Sequence, residues 1–267
     1  MNFRILIQPT IKTFNDYKKY ADRHNFAFEI IDFSFPSTMN GNYQKVAAKY
    51  KKRLKGTSLG VQHHGLFKDL YINSSDKLIK KASEKRIYQN LSIAHKLGAN
   101  SVVFHTNFLP LIHHKSYLEL WSATHAAFWK KVIKKYNITV LLENLWDPSP
   151  DHILDMINKV KSKKLGVCFD TGHYNVFSKV PMEQWFKKLG KHILCLHIND
   201  NKGDRDSELA PGEGTVNWKK FDYLVKRYCN KPAVVLEVDN LPAIERSAAY
   251  LKKAKVYPFS QRRAMRT

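Results

Sequence analysis

Carboxylates and imidazoles recur in this 267-residue chain at one kind of place, the polar end of a short apolar run. His63-His64 follow the run Ser58 to Gln62, His105 follows Ser101 to Phe104, and Glu143 follows Thr139 to Leu142. Asp170 follows Gly166 to Phe169, with His173 close behind it; His197 follows Ile193 to Leu196, and Glu237 follows Ala233 to Leu236. Gathered in space, such residues do the chemistry of a bound cation, because unpaired buried carboxylates cost several kcal/mol and a divalent ion offsets their repulsion directly. Glu143, Asp170, His197 and Glu237 are the ligand set this predicts. Three carboxylates and one imidazole suit Mn, Mg, Co or Zn rather than a thiolate-bound metal. His63 has a structural role instead: its side chain points opposite to that of His64, which makes it a hydrogen-bonded core residue.

The elements that must position these residues form a regular alternation. Two further β-branched and aromatic runs, Phe3 to Ile7 and Ala27 to Phe33, bring the strands to eight. Between and after them, helical periodicity predicts helices near 13–24, 41–54, 76–97, 116–136, 150–161, 181–190, 217–229 and 241–254. Ser75 is placed to cap the third of these, Gly98 to end it in a left-handed conformation, and Pro181 to open the sixth. Strands alternating with helices imply right-handed crossovers and a parallel sheet. With no Pro/Gly/Ser-rich linker, the chain reads as an α/β protein, one (β/α)8 barrel over residues 1–254 with a basic tail at 255–267. In that fold the C-terminal ends of the strands converge on one mouth, where active sites lie.

Composition narrows the classes. An apolar content of 43% excludes a disordered chain, and no stretch is long enough to span a membrane or serve as a signal segment. Three cysteines, Cys168, Cys195 and Cys229, lie in or near apolar runs, which points to a reducing, cytoplasmic setting and not to a disulfide framework. A formal charge of +22 attracts phosphorylated metabolites and nonspecific polyanions, nucleic acid included. Most of that excess is lysine scattered on helices, such as Lys77, Lys80, Lys81 and Lys85; the one compact basic cluster runs from Gln261 to Arg266.

Seven ordered segments resemble the sugar phosphate isomerase/epimerase family of xylose-isomerase-like TIM barrels, a superfamily that also contains endonuclease IV. They are His64-Gly65-Leu66-Phe67-Lys68-Asp69, Val103-Phe104-His105, Leu142-Glu143-Asn144, Cys168-Phe169-Asp170-Thr171-Gly172-His173, Leu196-His197-Ile198-Asn199-Asp200, Pro211-Gly212-Glu213-Gly214 and Leu236-Glu237-Val238. The resemblance covers residues 58 to 254 and is specific for the superfamily, not for the substrate.

The resemblance implies one divalent metal on Glu143, Asp170, His197 and Glu237, with His64, His105, His173 and Arg205 binding a sugar or sugar phosphate. It implies isomerisation or epimerisation through an enediolate, with Glu143 and Glu237 as acid/base groups on opposite sides of the reacting carbon. In endonuclease IV the positions of His64 and His105 complete a second zinc site beside Glu143. A third zinc there uses the position of His173 with an Asp-x-His pair. This chain has Asp204-Arg205-Asp206 at that pair, and the endonuclease's Gly-Ala-His start is missing. Zinc-dependent cleavage at abasic sites is therefore the alternative activity, and a non-catalytic metal-containing barrel that binds a polyanion is a third reading. Phe67, Phe108 and Trp146 follow strand ends closely enough to wall a sugar site, whereas Trp121 and Trp185 read as packing. The loop Asn199 to Asn217 is placed to cover the mouth.

Overall fold

The computed structural model describes residues 5–55, 57, 60–112 and 114–260. Its strands are β1 (Ile5–Ile7), β2 (Ala27–Ile30), β3 (Val61–His64), β4 (Ser101–His105), β5 (Thr139–Glu143), β6 (Leu165–Asp170), β7 (Ile193–Ile198) and β8 (Ala233–Leu236). They close in chain order into a parallel barrel, with β8 pairing back onto β1. The helices are α1 (Phe14–His24), α2 (Pro36–Asn40), α3 (Tyr43–Leu54), α4 (Lys77–Leu97), α5 (Lys115–Lys135), α6 (Asp151–Val160), α7 (Thr171–Phe177), α8 (Met182–Leu189), α9 (Trp218–Tyr228) and α10 (Leu241–Lys253).

Two layers inside the barrel position everything that follows. Leu6, Ala27, Val103, Leu141, Cys168, Cys195 and Val235 pack together as a buried apolar layer. Side chains two residues apart on a strand face the same way. One such step beyond each member of that layer therefore come Gln8, Glu29, His105, Glu143, Asp170, His197 and Glu237, and the same step on β3 leads from Gln62 to His64. Strand register joins these into a ring, with His105 opposite Glu143 and Asp170 opposite His197. The outward residues of the same strands pack on the helices: Phe104 lies 5.5 Å from Trp129, and Phe169 lies 4.9 Å from Phe186. His63 belongs to this outer set, with Nε2 2.9 Å from Asn90 Oδ1 on α4. Burial pushes its pKa down to about 4, so it is a neutral core residue, as its outward position requires.

Local differences from the sequence reading have physical causes. β2 ends at Ile30 rather than Phe33, because Asp32–Ser34 turns into a 3-10 helix in which Asp32 Oδ2 accepts from the Ile11 N–H at 2.9 Å. β3 runs two residues beyond Gln62, so both histidines lie within the strand. The cap of α4 is Asp76, which accepts from the Leu78 N–H at 2.7 Å, rather than Ser75, while Gly98 does end that helix at φ 70°. α2 and α7 are short helices that periodicity missed, since fewer than two turns leave little pattern to read. Residues 255–260, assigned by sequence to the tail, pack on the barrel. Val256 is buried, and the Tyr257 N–H and Ser260 Oγ both donate to Asp222 Oδ1, at 2.9 and 2.6 Å. The basic cluster Gln261 to Arg266 lies outside the described residues.

One buried imidazole makes the fold sensitive to acid. His125 on α5 stacks on Trp121 with ring centroids 4.1 Å apart, and neither of its ring nitrogens has a hydrogen-bond partner. Burial first, then His152, hold its pKa down to about 3, below the ~6.5 of an exposed histidine. As pH falls below ~6.5 the unfolded chain takes up this proton before the folded one does, so stability declines toward pH 3. His125→Phe is expected to raise the melting temperature, with a gain about 1–2 kcal/mol larger at pH 5 than at pH 8. Thermal melts at the two pH values check this; an equal gain at both would mean the imidazole is not held neutral.

Candidate metal centre and active site

At the barrel mouth, Glu143, Asp170, His197 and Glu237 each offer one ligand atom, all within 4.8 Å of one another. His197 Nδ1 is 2.8 Å from Glu237 Oε2 and 3.2 Å from Glu143 Oε1. These three atoms are buried and none has an aligned hydrogen bond. Against the effect of burial, Cys168 and the Glu143, Glu237 and Glu29 carboxylates raise the His197 pKa well above the usual imidazole range, a mark of how much negative charge converges here. That is the arrangement a cation fits. The electrostatics agree: burial, reinforced by the Glu237, Glu143 and Asp206 carboxylates against the opposing His173, raises the Asp170 pKa well above the carboxylate range. A divalent ion among these oxygens would keep Asp170 ionised.

Asp170 is aimed by its neighbours. It caps α7, accepting from the His173 N–H at 2.6 Å through Oδ1, while Oδ2 accepts from Asn199 Nδ2 at 2.8 Å. A Cβ at Gly172 would collide with Asn199 Oδ1. Gly172→Ala is therefore expected to displace Asn199, release Asp170 and weaken zinc binding by about 10-fold or more, the range seen when an outer hydrogen bond to a ligand is lost. Calorimetric titration with zinc measures this; an affinity within twofold of the native value would show that Asn199 does not orient the ligand.

Beside this quartet, His64 Nε2 and His105 Nε2 both lie 3.2 Å from Glu143 Oε2, so Glu143 faces the quartet with one oxygen and this histidine pair with the other. His173 stands 3.4 Å from both Glu143 Oε1 and Asp170 Oδ1, and its Nε2 is 3.1 Å from Asp206 Oδ2. Above them opens a cavity of about 470 Å³, lined by His64, His105, His173 and Glu237 among others. Glu143 is fully buried beneath the histidines, whereas the Glu237 side chain is 14% exposed toward the cavity.

The remaining sequence-predicted residues divide. Phe67 and Trp146 line the cavity, whereas Phe108 does not: it is buried and stacks on His152 at 4.0 Å. Trp121 and Trp185 are core residues. Arg205 is exposed on the loop after β7, and the cavity lining from that loop comes from Asn199, Asp206 and Glu208 instead. Asp200 ties the loop down. Its carboxylate accepts from the Gly212 N–H and Trp218 Nε1, both at 2.9 Å, and from the Val216 N–H at 3.0 Å.

Sequence reasoning missed three polar residues here. Glu208 lines the cavity; burial, then Glu237, Asp206 and Asp239, push its pKa up to about 8. No motif marks it. Gln8 and Glu29 complete the mouth ring, and a signal for them was present: each stands two residues beyond an inward apolar residue, Leu6 or Ala27, as His197 stands beyond Cys195. Extending β2 to Phe33 hid Glu29 in the middle of a strand.

A closed eight-stranded barrel carrying a carboxylate–imidazole cluster at the C-terminal ends of its strands is a TIM barrel with a potential metal site. This chain belongs to the xylose isomerase-like TIM barrel family, whose profile matches residues 21–254. Among relatives, it is 25% identical over 200 residues to the uncharacterized protein MJ1311 of Methanocaldococcus jannaschii, covering 71% of this chain and 68% of that one. It is 30% identical over 112 residues to a protein named Probable endonuclease 4 of Mycoplasmopsis pulmonis, covering 36% of this chain and 40% of that one. Similar solved structures include the TTHB071 protein from Thermus thermophilus soaked with ZnCl2, with TM-score 0.76, 21% identity, and 94% and 97% of the two chains covered. A D-tagatose 3-epimerase-like protein aligns with TM-score 0.76, 22% identity, and 94% and 96% covered. At these identities the structural likeness is one of fold.

Proposed function

We propose that this barrel is a divalent-metal-dependent isomerase or epimerase of a sugar or sugar phosphate. The observation that carries the reading is the convergence of Glu143, Asp170, His197 and Glu237, of which Glu237 lines a cavity of about 470 Å³, a size suited to a small polar substrate. A divalent cation bound by these four residues supplies a Lewis acid that polarises a substrate carbonyl and makes the neighbouring carbon acidic. Glu237, the member exposed to the cavity, is the group that takes a proton from that carbon or returns one. Glu143 is the second acid/base group of the pair, held beneath His64 and His105. His64, His105, His173 and Glu208 line the cavity as polar groups able to hydrogen-bond a substrate's hydroxyls. Phe67 and Trp146 supply apolar wall, and Arg205 reaches the substrate only if the loop bearing it folds inward. All three cysteines are free and buried, and no described helix is long and apolar enough to cross a membrane, which supports a cytoplasmic setting. The test is deuterium incorporation next to the carbonyl when the metal-loaded protein is incubated in deuterated water with ketoses and their phosphates. A panel without exchange at any metal would overturn the reading.

A second reading, zinc-dependent cleavage of abasic DNA, is favoured by one observation. Glu143 Oε2 with His64 and His105 forms a second group able to hold a metal ion, sharing Glu143 with the first. Against it, the ring of His173 faces Asp206, an acceptor carboxylate, where the endonuclease resemblance calls for a histidine. On the isomerase reading, DNA binding driven by the +22 charge is expected to be nonspecific and to weaken steeply with added salt. Incision of abasic-site DNA at physiological salt, abolished by Glu143→Gln, would replace the isomerase with the endonuclease.

A further inference from the structure

One layer beneath the mouth ring, the barrel interior holds two thiols side by side. Cys168 on β6 and Cys195 on β7 are fully buried, free, and paired directly across the two strands. The pairing depends on an irregularity. Val167 pairs with Ile193 but Cys168 with Cys195, so Leu194 is an extra residue on β7, and a regular register would set Leu194 opposite Cys168. A bulge is uncommon between parallel strands and re-aims side chains where it occurs. Here it brings a second sulfur beside the first.

His197 completes the cluster. It stands two residues beyond Cys195, and one of its ring nitrogens and the two sulfurs all lie within 4.8 Å of one another. Atoms so close can share one centre at metal–nitrogen and metal–sulfur distances of about 2.0–2.3 Å after small side-chain shifts. Both ring nitrogens are buried and neither has an aligned hydrogen bond, so the imidazole is not committed to a protein partner. Cys195 is supported from the other side, where Gln62 Nε2 donates to its Sγ at 3.4 Å. That amide is held in place: Ser101 Oγ donates to Gln62 Oε1 at 2.7 Å, and Glu29 Oε2 also accepts from Nε2. An N–H aimed at sulfur supports a thiolate as outer hydrogen bonds support other ligating atoms.

Two thiolates and an imidazole are a soft donor set, unlike the three carboxylates and one imidazole at the mouth. We propose that Cys168, Cys195 and His197 form an interior site for one thiophilic cation of the cadmium or copper(I) class, whose binding releases the two thiol protons. The interior and mouth sites share His197. A neutral imidazole has a single lone pair, so His197 serves the mouth ion or the interior ion, and not both. A thiophilic ion inside the barrel therefore takes from the mouth quartet its one nitrogen ligand. The interior site stands whether or not the barrel is an isomerase.

The test is a titration of the full chain with cadmium alone, after metal has been stripped and with a non-thiol reductant present. The expected result is an ultraviolet thiolate-to-cadmium charge-transfer band with the amplitude of one cadmium held by two sulfurs. It should be lost in Cys168→Ala and in Cys195→Ala and kept in Cys229→Ala, whose thiol is buried elsewhere, at the end of α9. In protein that has bound manganese at the mouth, the cadmium midpoint should move to higher concentration, and an unchanged midpoint would overturn the sharing of His197. Should either alanine variant at the site fail to fold, the cadmium-113 spectrum of native protein decides: a resonance in the two-sulfur range supports the site, and resonances of oxygen and nitrogen coordination alone overturn it. Absence of the band in native protein, or its survival at full amplitude in Cys168→Ala or Cys195→Ala, also overturns it. Manganese binding with no thiolate band would sink this inference and leave the proposed function standing, whereas the band without deuterium exchange would do the reverse.

Discussion

Glu237→Gln is expected to retain part of the metal affinity and to lose turnover by about 10²- to 10⁴-fold, the contribution of a positioned acid/base group. The residue has two jobs that the substitution separates. Oε2 faces His197 at 2.8 Å within the ligand quartet, and a glutamine carbonyl can still coordinate there, although more weakly than a carboxylate. Proton transfer cannot survive, because an amide neither accepts a carbon-bound proton nor returns one. The measurement is deuterium incorporation beside metal stoichiometry on the same preparation. His105→Ala serves as the comparison: its Nε2 is 3.2 Å from Glu143 Oε2 and it lines the cavity, so it should lower the rate less, as a residue that positions substrate. Exchange that persists in both Glu143→Gln and Glu237→Gln would rule out the two-carboxylate mechanism even with the barrel and metal intact.

Removing the metal is expected to produce the largest change in stability. A ligand bound only by the native state stabilises by about 4 kcal/mol at a thousandfold excess over its dissociation constant. For a domain of this size that corresponds to a rise in melting temperature of about 10 °C. Chelation should abolish the rise, and Mn or Zn should restore it. The ligands must lose protons to bind, so the metal-dependent part of the stability should shrink as the medium is made acidic. Asp170 makes the effect specific, since burial and the facing carboxylates hold its pKa high and the ion relieves that repulsion. Asp170→Asn should therefore lose much of the metal response. No thermal response to any of these metals would remove both enzyme readings, and three zincs per chain would bring the endonuclease forward.

The sequence by itself determined the barrel and four of the groups at its mouth. Eight apolar runs separated by helical segments can bury both faces of a parallel sheet only by closing it or covering it with helices, and the polar residues ending those runs had one face on which to meet. Glu143, Asp170, His197 and Glu237 were legible because each directly follows an unbroken apolar run of clear period, and His63 because alternation alone turns it away from His64. Tertiary structure decided which polar residues share that face. Glu29 Oε1 comes within 3.2 Å of His197 Nε2, though 168 positions separate them, since closure of the sheet between β8 and β1 brings β2 and β7 to one mouth. Asp206 rather than Arg205 reaches His173, because Asp200 anchors the loop through Gly212, Val216 and Trp218, contacts without a local pattern. Phe108 passed from cavity wall to core for the same reason. Its position after β4 is local, but the His152 ring it stacks on belongs to α6, and only packing between separate elements could bring the two together.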